Sequence, residues 1–268
     1  MPVYTDQLNR QVEIATAPRR IVSLVPSQSE LLWDLGLRSE IAGITKFCIH
    51  PDEMFRTKTR VGGTKDVDAG RIGQLHPDLI IANKEENDQE QVEALMKKYP
   101  VWVSDIKTLE DALRMIRSIG EITGTADAAA HLSGNIEDAF ARFTGRKGSP
   151  GTPSRPLRTA YIIWKNPYMA AGASTFINHL LHCCALHNVF GTAAGRYPET
   201  TLEEIARLDP DVILLSSEPY PFKEKHLAEF QTACPRARVL LADGEFFSWY
   251  GSRLLGAPAY FRKLLAQV

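Results

Sequence analysis

No window of this sequence approaches the roughly 20 consecutive apolar residues that a membrane-spanning helix requires. No basic run exists either. The 31 Lys and Arg stand against 32 Asp and Glu, a balance that argues against nucleic acid as a partner. Cysteine is scarce. Of the four, Cys183 and Cys184 are adjacent and poorly placed to bond to each other, so reduced thiols are expected rather than a disulfide framework. Met1–Asp6 has neither a basic n-region nor an apolar h-region. No secretory signal is read there, and the chain is expected in the cytoplasm or with a leader already removed. There is no nucleophile elbow and no carboxylate pair with a histidine partner, which leaves hydrolysis without machinery. Gly62-Gly63 lacks the lysine spacing of a phosphate loop and reads as a turn.

What the chain does have is one phrase written twice. Gln-Leu-His-Pro-Asp-Leu-Ile-Ile at 74–81 returns as Arg-Leu-Asp-Pro-Asp-Val-Ile-Leu at 207–214. In each copy proline stops a helix and pushes its predecessor out of the α region. Asp78 and Asp211 suit the turn that follows. The runs Leu79–Ile81 and Val212–Leu215 suit strands buried on both faces. Two copies in 268 residues predict two lobes built alike, each with its own core, and a ligand cleft between them.

Around the repeat, strands alternate with helices, which predicts parallel α/β sheets. In the first half strands are expected at 20–25, 41–44, 79–82 and 101–103. A helix there opens with a capping box of Ser27 and Glu30 and stops at Gly36. A loop is expected over 45–68 and a helix over 89–99. The middle reads as helical over 108–122 and 126–143, where Leu132, Ile136, Phe140 and Phe143 form one apolar stripe. A helix of about 20 residues reaches about 30 Å, the width of a small lobe. In the second half strands are expected at 159–164, 212–215 and 237–241. Helices are expected at 174–186 and 254–265, the last one interrupted at Pro258. The organisation is an N-terminal lobe at 1–124, a connecting helix at 125–145, a loop at 146–156 and a C-terminal lobe at 157–268.

Several segments together resemble the substrate-binding proteins of ABC importers, in the class that takes up cobalamin, ferric siderophores or haem. These are Thr5–Arg10, Pro18–Leu32, Leu75–Ile81, Ser174–Leu181 with Asn188–Phe190, and Thr201–Ile205. The resemblance covers essentially the whole chain. It implies the class III periplasmic-binding-protein fold: two similar α/β lobes, each a small parallel sheet flanked by helices, joined by one long rigid helix. Ala126–Phe143 fits that helix. It also implies an aromatic from each lobe framing the ligand in cobalamin-binding members, and a glutamate on each lobe that docks onto the transporter. Tyr197 matches the second-lobe aromatic and Glu203 the second-lobe glutamate. Thr64 stands where the first-lobe aromatic would be. Gly70 stands where the first-lobe glutamate would be, with Asp66 nearby and Asp68 taken as the substitute docking residue. Cys184 matches one half of the cobalamin binder's second-lobe disulfide, but the C-terminal helix offers it no partner.

Ligands of open α/β lobes sit at the carboxyl ends of the strands. The candidate contacts there are Ser27, Gln28, Phe47, Cys48, His50, Thr64 and Lys65 in the first lobe. In the second they are Trp164, Tyr168, Arg196, Tyr197, Phe246, Phe247 and Trp249. So many aromatics suit a flat conjugated ligand such as a corrin or porphyrin, although some of them would serve to anchor loops. Lys46, Lys65, Lys165 and Arg196 could neutralise ligand carboxylates or phosphate. Cys48 and His50 could reach the metal of a bound chelate.

His179, Cys183 and His187 share one face of the expected helix, with His182 and Cys184 adjacent, and nitrogen and sulfur donors suit zinc. The same helix needs Cys184 and its leucines for a core, so no metal site is assigned. The expected function is capture of a corrinoid or ferric siderophore, with haem third, for hand-over to an ABC permease. No catalytic residue, no cofactor of its own, no nucleic acid and no membrane span are expected, and the protein is expected to be a monomer. The competing reading is a cytoplasmic tetrapyrrole-handling enzyme such as a chelatase, or a cytoplasmic sensor of such a ligand. A histidine or carboxylate pair at metal-insertion distance would mark the enzyme, and His50 is the only histidine placed among the ligand loops.

Overall fold

Ile21–Ser23, Leu79–Asn83 and Val101–Ser104 are buried along their whole length, as strands covered on both faces must be. In the computed structural model, which describes residues 1–14, 17–145 and 155–268, these strands form the centre of the first of two compact units. That unit comprises Met1–Ile106, Glu110–Glu137 and Tyr250–Arg253. The second comprises Lys107–Leu109, Asp138–Trp249 and Leu254–Val268. Residues 146–154 of the expected linking loop lie outside the described residues.

The first unit opens with an antiparallel ribbon of β1 (Val3–Thr5) and β2 (Gln11–Glu13). There follow β3 (Ile21–Ser23), α1 (Pro26–Asp34), β4 (Ile41–Ile44), α2 (Asp52–Thr57), β5 (Thr59–Arg60) and α3 (Ala69–Gln74). Next come β6 (Leu79–Asn83), α4 (Gln89–Met96), β7 (Val101–Ser104), α5 (Leu109–Thr123) and α6 (Ala126–Thr144), of which Leu109 and the residues from Asp138 onward belong to the second unit. The sheet order is β5-β4-β3-β6-β7, parallel throughout. Val22, Leu24, Ile72, Ile80, Val92 and Val103 share one core. The crossing of α5 and α6 is close because Gly120 has no side chain: a Cβ there would lie 2.3 Å from that of Ala129.

The second unit runs β8 (Leu157–Trp164), β9 (Tyr168–Ala170), α7 (Phe176–Cys183), β10 (Leu186–Asn188), β11 (Glu199–Thr200) and α8 (Leu202–Arg207). It continues with β12 (Val212–Ser216), α9 (Leu227–Ala233), β13 (Arg238–Ala242), α10 (Glu245–Ser248) and α11 (Ala257–Leu265). β8, β12 and β13 are parallel neighbours, and β10 runs parallel to the start of β8. β9 and β11 add an antiparallel edge, so this sheet is mixed where a purely parallel one is expected. The departure is local. Asn166 takes φ +66 before the cis peptide to Pro167, and β8 turns back on itself there as a hairpin.

The repeated phrase builds one device twice. α3 and α8 end at Leu75 and Leu208, and the next residues, His76 and Asp209, both take φ +46. Proline then blocks further helix, and the aspartate enters β6 or β12.

Several expectations require correction. α1 begins at Pro26 with Val25 as its uncharged cap, so Ser27 lies inside the helix and makes no capping box with Glu30. The expected loop over 45–68 contains α2 and β5. The helix expected to reach 186 stops at Cys183, because Ala185 takes φ +57, and residues 186–188 form β10 instead. Pro258 starts the last helix rather than interrupting it, which suits a residue without an N–H to donate. Among the described residues no helix is long and apolar enough to cross a membrane.

Candidate functional site

At the carboxyl end of the first sheet, short polar side chains lace the loops together. Gln28 Nε2 donates to Ser104 Oγ at 2.6 Å, and Asn83 Nδ2 donates to the same oxygen at 3.0 Å. Asn83 Oδ1 accepts the backbone N–H groups of Glu85 and Glu86 at 2.8 and 3.0 Å. Asn87 Nδ2 bridges to the carbonyls of Leu24 and Thr64 at 3.1 and 3.0 Å. Four loops are thus tied at their roots by buried hydrogen bonds, an arrangement that fixes geometry because each group left unpaired would cost free energy. Asn87 and Ser104 are not among the sequence-predicted site residues. In the sequence they are ordinary polar residues, and only the strand register brings them together.

The loop after β4 alternates out, in, out. Cys48 is fully buried, 3.1 Å from Ser29 Oγ and 3.2 Å from Thr45 Oγ1, and burial pushes its thiol up. It is an interior anchor, and the expectation that it reaches a ligand is corrected. Its neighbours Phe47 and Ile49 are 50% and 47% exposed. His50 is half-buried and precedes a cis peptide to Pro51. Ser27 and Gln28 are buried within the first turn of α1, and Gln28 acts through the polar network. Lys65 Nζ donates to the carbonyls of Glu85 at 2.6 Å and Asn87 at 3.2 Å, so this lysine braces two loops. Thr64 is half-buried beside it.

In the second unit the same end of the sheet is aromatic. Trp164 is 39% exposed and meets the edge of Tyr220, with ring centroids 5.8 Å apart. Lys165 pairs with Glu229 and lies 5.6 Å from the half-buried ring of Tyr168, which packs against Phe230. Lys165 is therefore spent on an internal carboxylate. Arg196 and Tyr197 are half-buried on the loop before β11, and the Arg196 carbonyl accepts the Gly172 N–H at 2.8 Å.

The aromatic cluster at 245–250 divides by side of the helix. Phe247 is fully buried, 5.0 Å from the ring of Tyr161 and 4.8 Å from that of Phe261, so it is a core residue and not a ligand contact. Trp249 is also buried, its indole N–H donating to Glu218 Oε1 at 3.0 Å, so it too is corrected from ligand contact to loop anchor. Phe246 is half-buried and stacks on Tyr260 at 4.6 Å. Glu218, on the loop after β12, accepts from both Trp249 and Ser248, and burial pushes its carboxyl up. Gly244 makes this possible, since a Cβ there would lie 2.5 Å from Glu218 Cγ.

The zinc-like set does not assemble. His187 sits on β10, off the helix that carries His179 and Cys183. Among the described residues no group of three or more His, Cys, Asp or Glu could hold a metal ion. All four cysteines are unbonded, and burial pushes the Cys183 thiol up to about 11.

Glu203 and Gly70 occupy equivalent places, each two residues past the cap of its helix, Thr201 for α8 and Asp68 for α3. Glu203 is exposed, and backbone and Thr201 hydrogen bonds hold its carboxyl down. The Asp68 carboxylate caps α3 by accepting the Arg71 N–H, and it pairs with the Arg71 guanidinium at 3.1 Å.

Comparison with known proteins places this geometry in a lineage. The profile of the family described as periplasmic binding protein matches residues 21–234. A vitamin B12-binding protein of Pectobacterium carotovorum subsp. carotovorum is 24% identical over 240 residues, 89% of this chain and 85% of that protein. Among solved structures, the petrobactin-binding protein YclQ of Bacillus subtilis superposes with a TM-score of 0.82 at 16% identity, over 98% of each chain. A periplasmic heme-binding protein of Pseudomonas aeruginosa gives 0.79 at 19% identity, over 93% of each. At these identities the structures establish the shared α/β fold of class III binding proteins.

Proposed function

Because this chain belongs to the periplasmic binding protein family, we propose that it is the substrate-binding component of an ABC-type importer, with a metal chelate as cargo. The observation that carries this reading is the division of labour at the strand ends: a rigid polar lacework beneath, with exposed rings above. Phe47 and Trp164 present apolar faces to solvent while their neighbours are tied down. Rigid, part-apolar surfaces bind with little ordering cost and suit flat conjugated ligands. Relatives named for vitamin B12, heme and petrobactin point to the same class of cargo. The mechanism is capture and release, without bond chemistry. Within this reading the half-buried Thr64 and His50 extend the ligand surface of the first unit, and the half-buried Tyr168, Arg196, Tyr197 and Phe246 extend that of the second.

Hand-over assigns the permease contact to Glu203, exposed in the first turn of α8. Asp68 contributes less, since its carboxylate is engaged as a helix cap and by Arg71. The family works in the periplasm, so this reading requires that the chain be exported. The test is a tryptophan-fluorescence titration of purified protein with haemin, a ferric tris-catecholate and cyanocobalamin, corrected for inner-filter absorption. Saturable quenching by one of them at micromolar concentration or below is the expected result. Absence of saturation with all three overturns metal-chelate capture.

A further inference from the structure

The loop after β4 carries a recognition element that the fold does not otherwise use. Phe47 and Ile49 are the only large apolar side chains, away from the chain ends, that are exposed within two residues of each other among the described residues. Nothing about packing requires this. Cys48 between them satisfies the interior, and the loop is closed by its own hydrogen bonds, from Cys48 N to Thr45 O at 3.2 Å and from Lys46 N to Gly62 O at 2.8 Å. The ring of Phe47 rests on bare backbone, where a Cβ at Gly63 would lie 3.4 Å from Phe47 Cε2 and 3.5 Å from Lys46 Cε. The Lys46 ammonium stands 5.2 Å from the Phe47 ring and has no carboxylate partner among the described residues. Lys65 and Lys165 differ from it, since both are already engaged by protein oxygens.

An exposed ring, an aliphatic side chain beside it and an uncompensated cation on a loop anchored from below are complementary to one ligand chemistry. We propose that Lys46, Phe47 and Ile49 select a chelate that presents a conjugated face and carries net negative charge. Porphyrin carboxylates and ferric catecholates share that chemistry. An amide-bearing corrinoid without net charge does not. The inference rests on the chelate-binding reading above and narrows it. The aromatic face supplies contact area, and the ammonium supplies the sign preference.

The experiment measures affinities of haemin, a ferric tris-catecholate and cyanocobalamin for the full chain and for Lys46→Glu, Lys46→Arg and Phe47→Ala. Both positions tested are exposed, and circular dichroism with the thermal midpoint confirms that each variant folds. The wild type is expected to bind an anionic chelate more tightly than cyanocobalamin. Lys46→Glu and Phe47→Ala are each expected to weaken that chelate by about tenfold, and Lys46→Arg to keep affinity within about threefold. The Lys46→Glu effect should shrink as salt is raised. A wild type that prefers cyanocobalamin, or an anionic chelate whose affinity is the same in Lys46→Glu, overturns this inference and leaves chelate binding standing. A wild type that binds none of the three overturns both.

Discussion

Asp78 holds Arg20 twice: its carboxylate accepts the Arg20 backbone N–H at 2.8 Å, and its own N–H donates to the Arg20 carbonyl at 3.1 Å. Asp211 and Arg158 repeat the pair at 2.8 and 2.7 Å. In both cases the arginine side chain returns to the helix end before the proline, Arg20 to the Leu75 carbonyl and Arg158 to that of Asp209. The duplicated phrase is therefore a clasp between the end of one helix and the start of the central strand. Asp78→Ala removes the acceptor of two backbone N–H groups, those of Arg19 and Arg20. It is expected to cost about 1–2 kcal/mol, and Asp211→Ala a similar amount. The two sites share no partner, so the double variant should lose the sum within about 0.5 kcal/mol. Urea unfolding of the three variants checks this.

Arg253 and Glu30 form a two-pronged ion pair at 2.6 and 3.0 Å with side chains only 17% and 14% exposed. That burial decides the prediction, because a charge left alone there is poorly solvated. Burial already pushes the Glu30 carboxyl up against the opposing pull of Arg253. Arg253→Ala should destabilise by about 3 kcal/mol, and the double variant Glu30→Gln with Arg253→Met by clearly less. Equal losses would show that packing, rather than charge, is what Arg253 supplies.

Burial raises the Glu218 carboxyl above its ordinary 4.5. The folded state thus holds this proton more tightly than the unfolded chain. Its contribution to stability is complete below pH 4.5 and is lost as pH rises through the raised folded value. Glu218→Gln keeps an oxygen for the Trp249 and Ser248 donors and removes the titration. Thermal unfolding of both proteins from about pH 4 to about pH 8 should show the wild type losing ground to the variant across that window. A constant difference would contradict it.

Neither chelator nor zinc should move the thermal midpoint. His187 lies on a strand while His179 and Cys183 lie on α7, and the raised Cys183 thiol is a poor metal ligand at neutral pH. Differential scanning fluorimetry with EDTA and then with equimolar zinc is sufficient. A stabilisation by zinc that disappears in His179→Ala would reinstate the site.

Glu203→Lys should leave chelate affinity in solution unchanged within about twofold and reduce uptake in cells by about tenfold or more, since only hand-over depends on it. Equal damage to both measurements would move Glu203 from docking to the ligand surface.

The repeat, the central strands and the long helices are legible in the sequence because they follow local rules. Proline, a β-branched run and a four-residue apolar stripe each act within one helix or one strand. Which aromatics face outward is not local. Phe246 and Phe247 are neighbours of the same type, yet Phe247 is claimed by Tyr161 and Phe261 from distant positions. Phe47 and Cys48 are equally ambiguous until Ser29 supplies the hydroxyl that draws the thiol inward. The short elements α2 and β5 carry too few residues for any periodicity to register. The break after Cys183 rests on Ala185 at φ +57, a conformation that alanine does not advertise.

Tyr250, Ser252 and Arg253 belong to the first unit although every residue from 138 to 249 belongs to the second. They supply the partners of Glu86, Asp34 and Glu30. A nascent chain therefore cannot finish its first half early. Until translation has passed Arg253, Asp34 and Glu30 of α1 lack the hydrogen bonds from Ser252 and Arg253, a departure from the N-terminal-first order by which domains usually fold during synthesis. Residues 250–253 complete what α1 begins.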